Sequence, residues 1–265
     1  MEDRIILIDK PSGISSFGVV AKVRAKLRDE LGHKVKVGHT GTLDPFATGL
    51  LILLSGKMTK KSNDFLKLDK EYIATMKLGF ISTTGDPEGE ITESPFSEHS
   101  ELFPKEKSSD FKKEPKRIQT SLVEDISEPG KARISAKTPV ATGVLDACPR
   151  LTDVEFVLAK FIGKITQTPP KFSAIKINGQ RAYKLARKGK EFEIPSRKVE
   201  IYSIEILGYN YPELKIKVHC SSGTYIRTLA EDIGKALQTG AYLTALRRTK
   251  IGDYDIKDAK TIDEI

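Results

Sequence analysis

Residues 198–220, KVEIYSIEILGYNYPELKIKVHC, decide the fold. The runs Lys198–Leu207 and Leu214–Cys220 alternate apolar and polar residues around the turn-forming stretch Gly208–Glu213, so the spacing predicts an antiparallel hairpin. Working outward, Glu71–Leu78 places Tyr72, Ala74, Met76 and Leu78 on one face, the period of a half-buried strand. Leu50–Leu54 is continuously apolar, as suits a strand buried on both faces, and Arg4–Ile8 is a further short strand. Helices fall between these. Ser15 or Ser16 caps one that buries Val19, Val23 and Leu27; a polar one is expected around Lys57–Leu66, another at Leu151–Ile162, a basic one after the Asn178-Gly179 turn, and one from near Thr224 carrying Ile226, Leu229, Ile233 and Leu237. Strands grouped in antiparallel pairs, without a regular βαβ alternation, predict α+β: a mixed, largely antiparallel sheet with peripheral helices.

At 265 residues and 38% hydrophobic, the chain can bury the core of one large domain. From Glu88 to about Pro149 it turns rich in Ser, Pro, Glu and Lys, as in SEHSELFPKEKSSDFKKEPKR, and is expected to be an insertion, partly disordered, in a domain spanning 1–265. The formal charge of +8 favours a polyanionic partner such as RNA. Cys148 and Cys220 stand far apart with no clustered His, which argues against a disulfide framework or a zinc site and for a reducing compartment. No segment approaches the ~20 apolar residues of a membrane span, and the N-terminal run is too short for a signal peptide, so a cytoplasmic protein is expected.

The densest candidate for chemistry is Gly38-His39-Thr40-Gly41-Thr42-Leu43-Asp44-Pro45, where two glycines permit close approach of a substrate and four polar side chains share one loop. Pro45 disfavours the helical region for Asp44 and would present its carboxylate in a fixed direction; an ordinary Asp-Pro turn gives the same pattern. His39 is open to three readings: general base, stacking plane, or buried hydrogen-bonded ring. Gly56-Lys57 does not complete a phosphate loop, because the spacing from Gly49 and Met58 break the motif. Tyr72 lies on the apolar face of its strand, where core and catalytic roles compete. Arg227 stands where a strand hands over to a helix, facing a cleft or solvent. Lys164, Lys171, Lys176, Arg181, Lys184, Arg187, Lys188 and Lys190, with Phe172 and Tyr183 between them, suit phosphate and base contacts or a solvated helix face.

The segments KPSGISS, GHTGTLDPFATGLL, KEYIATMKLG, TPPKFSAIKINGQRAYKLARKG and SGTYIRTLAEDIG together resemble the TruB family of tRNA pseudouridine synthases, in that order, from about Arg4 to Pro87 and again from about Leu151 to Arg248. The resemblance implies the pseudouridine synthase fold with an inserted RNA-gripping thumb. It implies that Asp44 is the catalytic aspartate, that Tyr72 packs on the target ring and assists proton removal from C5, and that Arg227 pairs with Asp44. His39 would fill the stack vacated by the target base, and Tyr225 and Leu246 would line the pocket. Lys10 and Lys176, within the same segments, and Asp86, in STTGDPEG, join the expected substrate contacts. The implied reaction isomerises uridine 55 in the T loop of tRNA, with neither cofactor, metal nor guide RNA, by a monomer. Thr83 replaces an acid common in relatives, and no C-terminal PUA domain is expected after Lys260. Two rivals differ in kind: a synthase acting on another RNA or guided by partners, and a non-catalytic RNA-binding or tRNA-folding protein.

Overall fold

A computed structural model describes residues 3–95, 148–177 and 179–265. In chain order the elements are β1 (Ile5–Lys10), α1 (Ser16–Leu31), β2 (Val37–His39), β3 (Thr48–Ser55), α2 (Ser62–Leu66), β4 (Lys70–Leu78), β5 (Phe80–Ser82) and β6 (Ile91–Glu93). After them come α3 (Leu151–Lys160), β7 (Gly163–Gln167), β8 (Lys176–Ile177), β9 (Gln180–Arg181), α4 (Ala182–Ala186), β10 (Arg197–Asn210), β11 (Glu213–Cys220), α5 (Ile226–Ala236), β12 (Ala241–Ile251) and β13 (Tyr254–Asp255). The main sheet runs β1-β3-β12-β4-β11-β10-β7, with β2 added to β3 and β13 to β12. It is mixed: β3 and β12 are parallel, and every other pairing in it is antiparallel.

The predicted alternation is what the packing uses. Tyr72, Ala74, Met76 and Leu78 of β4 join Leu214, Ile216 and Val218 of β11 in the largest core cluster, closed by Val154 and Leu158 of α3 and by Leu229 and Ile233 of α5. Under α1, Val19, Val23 and Leu27 meet Ile8, Leu51 and Leu53. β3 is buried on both faces, since Leu50, Ile52 and Leu54 fill a third cluster with Phe65 and Ile251. Each such side chain removed from water contributes roughly 1.5–3 kcal/mol.

The structure departs from the expectations in several places, and it adds β2, β7 and the interior strand β12, where no strand was expected. The hairpin loop is only Tyr211-Pro212, because a register shift between Ile206 and Gly208 lets β10 run on to Asn210. The polar helix splits into a 3-10 turn, Gly56–Lys61, and α2. Helix α5 starts at Ile226, with Tyr225 as its extended N-cap. Ordered chain also continues past Pro87, as β6 pairs with β5. Three exposed residues carry no apolar period, so composition alone hid that strand. The rest of the expected insertion, 96–147, lies outside the described residues.

Candidate active site

The loop carrying Asp44 leaves β2 and returns as β3, and it is tied to the β1–α1 connection along its length. Gly13 N–H donates to the Pro45 carbonyl at 2.9 Å, Ser12 Oγ to that of Phe46 at 2.9 Å. Ser16 Oγ both donates to the Leu43 carbonyl (2.9 Å) and accepts from Leu43 N–H (2.8 Å). Lys10 Nζ reaches the carbonyls of Pro11 (2.8 Å), Pro45 (3.1 Å) and Ala47 (2.6 Å). Pro45 thus sits in a backbone fixed on both sides, and the direction of Asp44 is set before any substrate arrives.

Arg227, in the first turn of α5, meets that carboxylate with its Nε 3.0 Å from Asp44 Oδ2 and its Nη2 3.3 Å from Oδ1. Nε forms the ion pair without a hydrogen bond, whereas both Nη groups donate. Nη1 reaches Asp86 Oδ2 and the Thr84 carbonyl, both at 3.0 Å, while Nη2 also donates to the Phe172 carbonyl at 2.8 Å. Asp86 is held in turn by Thr84 Oγ1 at 2.5 Å and Glu88 N–H at 3.0 Å. Gly85, with φ +73°, makes this turn possible: a Cβ there would fall 2.3 Å from Glu231 Oε1 and 3.5 Å from Arg227 Cβ.

Exposure separates the two carboxylates. Asp86 is buried with its guanidinium, whereas 31% of the Asp44 side chain stays exposed. Burial raises the Asp44 carboxyl above its ordinary range; Arg227 pulls it back, Asp86 pushes it up again, and Lys10 and Arg248 pull it down. Burial likewise raises the Tyr72 phenol, against the Arg248 guanidinium. The His39 imidazole is lowered by burial and then by Arg248 and Arg181, so the ring is neutral near pH 7.

The expected residues converge unequally. Asp44 and Arg227 touch, and Tyr72 and Leu246 pack in one cluster with Leu43 and Ala47 beside them. Tyr225 lies two residues before Arg227; its N–H donates to Gln167 Oε1 at 3.0 Å and its ring carries Arg197 at 4.7 Å. His39 Nδ1 accepts from Gly41 N–H at 3.4 Å. Two expected substrate contacts move: Lys10 is fully buried beneath the loop, pushed down to about 8 by burial, and Asp86 lies behind Arg227. Their polar atoms face backbone, guanidinium and the Thr84 hydroxyl, and both side chains are buried. Lys176 is exposed on the β8–β9 hairpin with the basic series around it. Sequence reading missed the carbonyls of Thr84 and Phe172, which any residue supplies, the Thr84 hydroxyl on Asp86, and Arg248, whose inward position on β12 was its only signal.

The mixed α+β sheet that carries this site has counterparts among solved structures. The chain in "Crystal Structure of a Cbf5-Nop10-Gar1 Complex" superposes with a TM-score of 0.57 at 24% identity over 98% of this chain and 53% of that one. That in "Structure of H/ACA RNP bound to a substrate RNA containing 2'-deoxyuridine" gives 0.56 at 23%, covering 98% and 51%. The chain spans about half the length of those two, and the likeness defines its class: the pseudouridine synthase fold. The description "TruB family pseudouridylate synthase (N terminal domain)" fits residues 28–120 and 136–226, and "tRNA pseudouridylate synthase B C-terminal domain" fits 227–265. tRNA pseudouridine synthase B of Phocaeicola vulgatus is 40% identical over 263 residues, 99% of this chain and 91% of that protein. Its namesake in Flavobacterium johnsoniae is 39% identical over 261 residues, 98% and 93% of the two chains. This chain belongs to the TruB family of pseudouridylate synthases. The family match also enters the segment expected to be an insertion, leaving 121–135 between its two parts.

Proposed function

We propose that this enzyme converts uridine 55 in the T loop of tRNA to pseudouridine, with Asp44 as the covalent catalyst. One observation carries the reading: a half-open carboxylate held by an arginine that is itself 4% exposed and fixed by Asp86, Thr84 and Phe172. A guanidinium so placed favours the ionised carboxylate when bound RNA excludes water. The target base must leave its stack, at a cost on the order of a few kcal/mol, which pocket stacking and phosphate contacts offset. Neutral His39 suits the vacated stack, and Tyr225 and Leu246 suit the pocket walls.

The N-glycosidic bond then breaks, the uracil turns, C5 joins C1′, and the C5 proton leaves with help from Tyr72. Atoms and electrons balance within the substrate, so the isomerisation consumes no co-reactant. Attack on C1′, addition at C6 and removal of the C2′ proton all call on the same ionised Asp44. The same reading has one catalytic domain, interrupted near 88–150, work as a cytoplasmic monomer without a guide RNA. Among the described residues no helix is long and apolar enough to cross a membrane.

The test is tritium release from C5-labelled uridine in unmodified tRNA. Wild type should release it, a tRNA with the T-loop uridine replaced should not, and Asp44→Asn should fall on the order of 10³-fold or more. Full turnover by Asp44→Asn would sink the mechanism. Tight tRNA binding without turnover by the wild type would make this a binding protein.

A further inference from the structure

Arg248 is 2% exposed, and no carboxylate among the described residues forms an ion pair with it. A buried cation without a counter-ion is expensive, and an apolar side chain would pack the same space at lower cost. Its donors instead point at backbone. Nε donates to the Leu50 carbonyl at 2.8 Å, Nη2 to that of Gly41 at 3.2 Å, and Nη1 meets that of Thr42 at 3.5 Å. Gly41 and Thr42 lie three and two residues before Asp44. We propose that Arg248 is a positioning residue for this site, fastening the loop that carries Asp44 to the strand that carries Tyr72.

The sheet register supplies the other half of the link. Arg248 on β12 stands directly opposite Tyr72 on β4, and opposite Gly49 on β3 at the short parallel junction. Gly49 has φ +102°, and a Cβ there would lie 2.3 Å from the Arg248 carbonyl oxygen, so only glycine lets β3 approach this closely. One residue therefore joins three adjacent strands and the loop. It is also complementary to Lys10: Arg248 holds carbonyls upstream of Asp44, Lys10 those of Pro45 and Ala47 downstream. The arginine charge opposes the effect of burial on both Asp44 and Tyr72, so geometry and electrostatics act in one direction.

This inference rests on Asp44 and Tyr72 being the reacting pair, and the experiment separates the two claims. Arg248→Met and Arg248→Lys are made in the full chain, and single-turnover rate on T stem-loop RNA at saturating enzyme, RNA affinity, thermal midpoint and pH profile are measured for each. Arg248→Met should lose about 100-fold in rate, the scale of a 1 Å misplacement, with affinity unchanged and the acidic limb moved to higher pH. Arg248→Lys keeps the charge but cannot span the same carbonyls; its limb should stay in place while its rate falls to an intermediate value. If Arg248→Met does not fold, the lysine variant carries the geometric claim alone. Wild-type rates and pH profiles in the folded variants would overturn the proposal, as would a rate loss that merely tracks the unfolded fraction. An Asp44-dependent wild type with an indifferent Arg248 defeats this inference only, whereas an Asp44→Asn that turns over defeats the reading beneath it.

Discussion

Asp44 and Asp86 share one arginine but not one environment, and that difference assigns their roles. Asp86 is buried with Arg227 and answers to three donors, while Asp44 keeps an exposed side. Because burial raises the Asp44 carboxyl, it is protonated and inactive as pH falls through a value above the ordinary aspartate range. The acidic limb of the single-turnover rate should report that raised value. Arg227→Gln removes the largest opposing influence, so the limb should move up further in a pH series at saturating enzyme. Asp86→Asn acts oppositely on charge: a negative neighbour disappears, and the limb should move down. Its rate at the plateau should still fall, because Arg227 loses an anchor. A limb that moves up in Asp86→Asn would show that the acid works on Asp44 only through the position of Arg227.

Elements place these groups, and the junction of β3 with β12 is the one that least resembles its surroundings. Two residue pairs, Arg247 with Thr48 and Arg248 with Gly49, make up that parallel pairing. Gly49→Ala puts a Cβ within 2.3 Å of backbone at φ +102°, so it should cost ~2–4 kcal/mol in denaturant unfolding. The β8–β9 hairpin and α4 act at the same scale. Neutralising Lys176, Arg181 and Lys184, all exposed, should weaken T stem-loop binding and reduce the log–log salt slope by up to ~0.9 for each phosphate no longer neutralised, read by titration at several salt concentrations. The strands were legible in sequence because β4, β10 and β11 each bury alternate residues over much of their length. The junction was not, since two paired residues leave no period. Asp44 was legible as a polar residue in a glycine-rich loop, and Arg227 only as one of two readings at a strand-to-helix joint. The partners of Arg227 at Thr84 and Phe172 are carbonyls, invisible to any reading of side chains.

At the scale of the whole molecule, the charges fall into two populations that salt should tell apart. The chain carries a formal +8, and the basic series from Lys164 to Lys190 is exposed to solvent. Asp86 and Arg227 are buried, and Asp44 is 31% exposed. Exposed charges are screened over a Debye length of about 10 Å at 0.1 M salt, and bound phosphates release counterions, so tRNA affinity should fall steeply as salt rises. Buried pairs escape most of that screening. Single-turnover rate at saturating enzyme should therefore stay nearly flat over the range in which affinity collapses, provided enzyme is raised to hold the tRNA bound. Quench-flow on C5-tritiated tRNA beside filter-binding titrations measures both quantities in the same buffers. A rate that declines in parallel with affinity would mean that exposed charge holds the reacting groups together, contrary to the buried arginine seen between Asp44 and Asp86. A flat affinity would remove the basic hairpin from the binding surface.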